Sequence, residues 1–409
     1  MLKRKYEFTL STSSLDADDK ILPELDKTTL YEFGNKEVLI KSIDTQLVEI
    51  INQEMSNIDI MDRLLLLINS IYKCTNNLDN DFEGSKIYLF GSRMSGLALK
   101  DSDVDLYFCI AGTFGGALSS DRDCQKELVR YFGKIFSCQN NEFKYIQPII
   151  RARVPIVKFL HVPTGLYCDL SFKSGLSTQN TKLIRLYLSL NVRVHWVVCA
   201  VVKRWALQND MKHTSMFTSF ALTWLVLFYL MATDVVPPLK LLREHADYSK
   251  NTIKSDLMFI EDWDCTFCTL EKAKQIWEVP TISCWDLLYG FFKFYSDPGD
   301  LKQFVFCPAI GKAISKDNFH KTPILYPDIF DLKKKHGNPF GWSKLLKYKF
   351  CGENFALQDP FDLFNNLTRC IVPRKLRTFS HLCNKTMEVM NNQVQKNYIL
   401  LYNQNDYTY

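Results

Sequence analysis

A short apolar run, Lys86-Ile87-Tyr88-Leu89-Phe90, that stops at Gly91-Ser92 and is soon followed by Asp103-Val104-Asp105 constrains this chain more than any other stretch. The run reads as a strand entering a tight turn, and Val104-Asp105-Leu106-Tyr107-Phe108-Cys109-Ile110 reads as the next strand. Strand side chains alternate between faces, so Asp103 and Asp105 share one face while Val104, Leu106 and Phe108 point into the core. A glycine-serine turn can hold phosphate, and two oxygen ligands side by side suit hard cations such as Mg2+ or Mn2+. Two metal ions about 3.5–4 Å apart need a further bridging acid. The candidate is Asp169, which interrupts the apolar strand Leu166-Tyr167-Cys168-Asp169-Leu170-Ser171-Phe172. Either it faces solvent from an edge strand, or it is a buried carboxylate that requires a partner or a metal.

Periodicity divides the chain into segments. Residues 1–30 mix charge, Ser and Thr without a period and read as a flexible tail. Val38, Ile40, Ile43, Leu47, Ile50 and Ile51 open a helical stretch that runs to Cys74, so residues 31–77 are expected to be N-terminal helices packing on a later helical domain. Residues 78–175 supply short strands around one amphipathic helix near Asp121 to Phe136, a small α/β catalytic domain. Helices dominate 176–375, with predicted segments through Leu190, around Val194 to Leu207, through Met231 and over Cys284 to Tyr295. Residues 376–409 read as a C-terminal helix and tail.

Gly91-Ser92, Asp103-x-Asp105 and Asp169 together resemble the DNA-polymerase-beta-type nucleotidyltransferase superfamily. Four later stretches are similar, in order, to motifs of the terminal RNA uridylyltransferases and their poly(A) RNA polymerase relatives. They are Arg151-Ala152-Arg153-Val154-Pro155-Ile156-Val157-Lys158-Phe159, Asn180-Thr181, Val202-Lys203-Arg204-Trp205-Ala206 and Leu357-Gln358-Asp359-Pro360-Phe361-Asp362. Thr218-Ser219-Phe220-Ala221-Leu222-Thr223, Val236-Pro237-Pro238-Leu239 and Asp262-Trp263-Asp264-Cys265 look most like the mitochondrial poly(A) polymerase and small-nuclear-RNA uridylyltransferase branch. The resemblance spans roughly residues 40–375. It implies an α+β protein, with a small mixed-sheet, palm-like catalytic domain, a mainly helical central domain, and the active site in the cleft between them.

The resemblance also implies roles. Gly91 and Ser92 would cradle phosphates; Asp103, Asp105 and Asp169 would hold two Mg2+ or Mn2+ ions. Asn180 would read a ribose hydroxyl, and Lys203 would grip the triphosphate unless it is a surface helix lysine. Ser219 would touch phosphate, and Phe220, where relatives often carry Tyr, would stack on the base. Asp359 and Asp362 match acids near the base edge, although both could equally cap a helix. Two departures stand out. Leu207 occupies the place of a second basic residue, and Asn365 stands where UTP-selective relatives carry His, which tilts the expectation toward ATP. The implied partners are an RNA 3′ end, ATP or UTP, and an RNA-binding adaptor protein.

Composition is compatible with such an enzyme. A net charge of +5 permits an anionic partner without demanding one. Lys333-Lys334-Lys335-His336 reads first as a solvated loop, while Lys344 and Lys347, with Arg151 and Arg153, are candidates for RNA backbone contact. The thirteen cysteines sit mostly among apolar residues, which points to buried thiols in a reducing, intracellular compartment. Cytoplasm or nucleus is expected, and the basic, Ser-containing residues 2–14 leave a mitochondrial location open. Cys265-Thr266-Phe267-Cys268 lacks a second ligand pair, so no zinc is expected there. Leu222 to Met231 is apolar but short, a buried helix more than a membrane span. The resulting expectation is template-independent transfer of AMP or UMP to the 3′ hydroxyl of RNA. The alternatives are a superfamily member acting on small molecules or making signalling nucleotides, and a catalytically silent RNA-binding scaffold.

Overall fold

The computed structural model describes residues 59–76, 82–98, 102–115, 121–212, 216–249, 256–261, 263–319 and 346–396. The expected tail, the helical reading of residues 38–58, the basic run at 333–336, Lys344 and residues beyond 396 lie outside the described residues. The chain divides into two compact units, one of residues 50–188 with 247–266, the other of residues 1–49, 189–246 and 267–409.

The first unit is built on a five-stranded mixed sheet of order β1-β2-β5-β4-β3. Its elements are α1 (Asp59–Asn76), β1 (Lys86–Phe90), the single-turn α2 (Gly91–Ser95), β2 (Val104–Cys109), α3 (Arg122–Ser137), β3 (Phe143–Ile149), β4 (Ile156–His161), β5 (Leu166–Ser171) and α4 (Leu176–Leu190). β2 runs antiparallel to β1 and parallel to β5, while β4 is antiparallel to both β5 and β3. Val104, Leu106 and Phe108 do point into the core, where they meet Val129, Phe132 and Phe136 of α3. Helix α3 starts where the Asp121 side chain accepts from the Asp123 N–H, a cap that satisfies one orphan donor of the first turn. β3 is the edge strand, so Pro148 costs no ladder bond there.

Helix α1 corrects one expectation. Leu64, Leu67, Ile71 and Cys74, spaced three or four apart, form a stripe packed into the same core as Val104 and Phe132. The N-terminal helix therefore belongs to the sheet unit, not to the helical one. Helices α1 and α3 both pack on the apolar side of the sheet in one core cluster. Likewise α4, expected to open the helical domain, falls within the sheet unit.

The second unit contains α5 (Val192–Gln208), α6 (Ser219–Ala232), α7 (Cys284–Phe294), β6 (Phe304–Cys307), β7 (Lys312–Ser315), β8 (Ala356–Leu357) and α8 (Pro373–Lys396), with shorter helical turns between. Every residue of α6 from Ala221 to Ala232 is buried, which explains its all-round apolar sequence. Among the described residues no single helix is long and apolar enough to cross a membrane. Ser283 and Asp286 start α7 with reciprocal hydrogen bonds, and Tyr295 just past its end sends its hydroxyl to the Leu225 carbonyl, 2.8 Å away. The helical expectation for this region missed a three-stranded sheet in which β6 lies between β7 and β8. Its strands are four residues or fewer, too short to carry a readable period of two.

Candidate active site

β5 is not an edge strand: it lies third of five, paired on both sides. That removes the reading of Asp169 as an acid on a solvent-facing edge. Residue pairing aligns Asp105 of β2 directly with Asp169 of β5, and Asp169 directly with Lys158 of β4. Residues in register on neighbouring strands project from the same face, so three charged side chains stand in a row across the middle of the sheet. Asp103, one residue before β2, joins them: the Lys158 ammonium lies 2.9 Å from Asp169 Oδ1 and 3.5 Å from Asp103 Oδ2.

Exposure grades along this row. The side chains of Asp103, Lys158 and Asp169 retain 47, 39 and 19% of their surface. Burial therefore pushes the Asp169 carboxyl above its ordinary value, with the Asp103 charge adding to the rise and Lys158 opposing it. For Lys158, burial would lower the ammonium, but the hydrogen bonds and charges of Asp169 and Asp103 outweigh it and hold it above the ordinary value. Both groups are raised, which disfavours the charged carboxylate but favours the charged ammonium: Asp169 is the more deeply buried partner, and desolvation rules it, while Lys158 draws on two acids at once.

The turn after β1 is held against this row. Gly91 has φ +74, and a Cβ there would fall 1.9 Å from Asp105 Oδ2, so no other residue fits without displacing the acid. The Gly91 N–H donates to Thr181 Oγ1 at 2.9 Å, and Thr181 in turn donates to the Ser177 carbonyl. Gly91 thus brings α2 and α4 up to Asp105, and its own N–H is not available to a phosphate; Ser92, half-buried at the start of α2, keeps that capacity. Asn180 sits beside Thr181 on α4, buried, with Oδ1 lacking any hydrogen-bond partner. A buried acceptor without a donor is costly, so Asn180 Oδ1 has the capacity to accept from a hydroxyl or N–H. The Arg93 guanidinium donates to the Ser102 carbonyl and ties α2 to the backbone just ahead of Asp103.

In the second unit, Lys203 lies within a π-helical stretch of α5, Ala200–Trp205, and is buried. A π turn shifts the side-chain register, a device common at functional sites. Ser219 and Phe220 open α6 behind a Thr218 cap, and Phe220 is half-buried, edge-on to Trp224. β8 leads straight into the loop of Asp359, Asp362 and Asn365. Asp359 Oδ1 accepts from the N–H groups of Phe361 and Asp362, both at 3.0 Å, and its Oδ2 accepts from Asn365 Nδ2 at 3.2 Å. Asp362 Oδ1 accepts from the Phe364 N–H. Neither acid caps a helix, since none begins within this loop; the Asp359 oxygens instead fold the loop and fix the Asn365 amide. Burial pushes the Asp359 carboxyl up to about 6, the Asp362 charge adds to that, and the hydrogen bonds from Phe361, Asp362 and Asn365 restrain it. Arg151, Arg153 and Lys347 are exposed.

Lys158, Arg93 and Thr181 received no role from the sequence. Lys158 alone carried a signal, a charge inside the apolar run Ile156 to Leu160, the same signature that flagged Asp169.

The site is thus a mixed sheet that aligns acids on adjacent strands beside a glycine-serine turn. Residues 43–189 match the family model described as "Poly(A) RNA polymerase, mitochondrial-like, central palm domain". It is 30% identical over 303 residues to human terminal uridylyltransferase 7, a match spanning 70% of this chain and 17% of that protein, so the chain spans under a fifth of the length of that relative. Among solved structures, mtPAP in complex with GTP superposes with a TM-score of 0.64 at 20% identity, covering 97% of this chain and 79% of that one. A mutant of the Cid1 poly(U) polymerase bound to MgATP, His replaced by Asn in a study of UTP selectivity, superposes with a TM-score of 0.61 at 22% identity, covering 86% and 95%.

Proposed function

We propose that the protein is a template-independent RNA nucleotidyltransferase that transfers AMP or UMP from ATP or UTP to the 3′ hydroxyl of RNA, with ATP favoured. The observation that carries this reading is the alignment of Asp105 with Asp169 across two parallel strands, with Asp103 joined to Asp169 through Lys158. These three carboxylates offer hard oxygen donors from one face of a rigid sheet, the donor chemistry of Mg2+ or Mn2+. As they stand, no three acidic, His or Cys side chains among the described residues converge tightly enough to hold an ion. Lys158 fills the space between two of them, so the fit in kind and face is good once that side chain moves.

Asp103, Asp105 and Asp169 would hold the divalent ions, which supply activation of the attacking hydroxyl and neutralisation of the leaving pyrophosphate. The rest falls to the chain's own groups. Ser92 donates to a terminal phosphate, and Lys203 contributes a point charge to the triphosphate. Asn180 accepts from a ribose hydroxyl through its unpartnered Oδ1. Phe220 offers a ring face for the base. Asn365, its amide nitrogen already held by Asp359, presents the base with an amide where UTP-selective relatives carry imidazole. An adaptor protein would supply RNA specificity, and Arg151, Arg153, Lys344 and Lys347 would contact the RNA backbone.

The test is incubation of the purified protein with labelled RNA, Mg2+ or Mn2+, and each nucleoside triphosphate in turn. Extension with ATP or UTP by the wild type and none by Asp103→Ala is the expected result. Nucleotide consumption without extension of any RNA would favour a small-molecule acceptor, and equal extension by Asp103→Ala would discard the metal assignment.

A further inference from the structure

Lys158 holds neither metal nor nucleotide in the reading above, yet it touches two of the three acids. It stands on β4 in register with Asp169. Its neighbours Val157 and Phe159 are buried at 0 and 2% exposure, which fixes its Cα on the sheet. Only the four-carbon side chain can move. A single ammonium thus joins two of the three carboxylates, from different segments of the chain.

We infer that Lys158 is the resident counter-ion of this acid cluster, a positioning residue that keeps Asp103 and Asp169 together without metal and gives them up when a divalent cation binds. The inference rests on the metal-binding reading of the three acids. Like charges on adjacent strands repel, so a cluster of carboxylates needs a cation to stay assembled. An ammonium between Asp103 and Asp169 meets that need and excludes a second cation from the same oxygens. Lys158 is therefore a competitor of the metal, and its release is part of metal binding. The buried strand around it and its flexible stem are what make such an exchange possible without moving the sheet.

The test is Mn2+ binding to the 409-residue chain, followed by the electron paramagnetic resonance signal of free Mn2+. Wild type, Lys158→Met and Asp169→Asn are compared. Lys158→Met keeps the stem and removes the charge; it is expected to bind Mn2+ about tenfold more tightly. Its metal-free melting temperature should fall, and Mn2+ should raise that temperature by more than it does in the wild type. A lysine that served only to pack the strand would lower stability without improving metal affinity. Unchanged or weaker Mn2+ affinity in Lys158→Met overturns the inference. A second measurement needs no variant: reductive methylation of Lys158, mapped by mass spectrometry in the wild type, should run faster in Mg2+ than without it, and an equal or slower rate overturns the inference. Asp169→Asn separates the two levels. Binding lost in Asp169→Asn but not improved in Lys158→Met keeps the metal site and removes the role of Lys158; binding identical in all three proteins removes the metal site itself.

Discussion

Two acid-bearing segments, the middle of the five-stranded sheet and the loop after β8, use the same side chain in opposite ways. On the sheet, Asp105 and Asp169 stand in register on neighbouring strands, and the ladder satisfies their backbone without help from the carboxylates. In the loop, Asp359 accepts two backbone N–H groups and an amide, so its oxygens build the turn. A regular strand satisfies its own backbone, so its carboxylates are directed to other side chains, whereas an irregular loop uses them to replace missing ladder bonds. Both acids share one consequence of burial, a carboxyl raised above its ordinary value.

Substitution should separate the two. Asp169→Ala is expected to lower nucleotide transfer by about 10^3-fold or more, yet to change unfolding free energy by no more than about 1 kcal/mol, because burial already opposes its charge. A large loss of stability in urea would show that Asp169 is structural after all. Gly91→Ala sharpens the sheet side: the added Cβ collides with Asp105 at a φ of +74. A loss of about 2–3 kcal/mol in stability, together with at least a tenfold loss of transfer, is predicted. Retention of full activity would mean that the position of Asp105 is immaterial.

On the loop side, Asp359→Ala leaves buried donors without an acceptor and should cost about 2 kcal/mol. The pH dependence carries a sign that tells the mechanism apart. A carboxyl raised to about 6 in the folded chain, against about 3.9 when unfolded, binds its proton more tightly in the folded state. Its contribution to stability therefore falls as pH rises from about 4 to 6, and it is most unfavourable at neutral pH. The wild type should gain about 1 kcal/mol on Asp359→Asn between pH 7 and pH 5 in paired urea titrations. A gain in the other direction would mean that Asp359 is held ionised by an unseen cation. The smallest effect concerns base choice: Asn365→His should raise the ratio of UTP to ATP incorporation several-fold, about 1 kcal/mol of discrimination. An unaltered ratio would take Asn365 out of base selection and leave the loop with a purely architectural part.

Much of the sheet side was legible beforehand. β1, β2 and β5 fell within a residue of their expected spans, because a short apolar run bounded by turn residues marks a strand of five or six residues. The unit to which α1 and α4 belong was not legible. Amphipathic spacing says that a helix has a buried face, but Leu64, Leu67 and Ile71 would suit any apolar surface. The β6-β7-β8 sheet escaped for a related reason, since two to four residues cannot establish a period. In the loop, the resemblance implied base contacts for Asp359, Asp362 and Asn365, with helix capping as the alternative for the two acids, and only the folded chain showed that Asp359 turns its oxygens to the loop's own N–H groups.

The amino-acid sequence by itself determined the kind of chemistry on offer: a glycine where nothing larger fits, acids at alternate strand positions, and a lone acid in an apolar strand. These are local properties, set by side-chain type and by the period of the backbone. Tertiary structure decided the company those groups keep. Strand order made β5 internal and set Asp169 between Asp105 and Lys158, and helix α4 delivered Thr181 to Gly91 from ninety residues away. Register between strands distant in the chain is chosen by the packing of the whole core, and no local pattern encodes it.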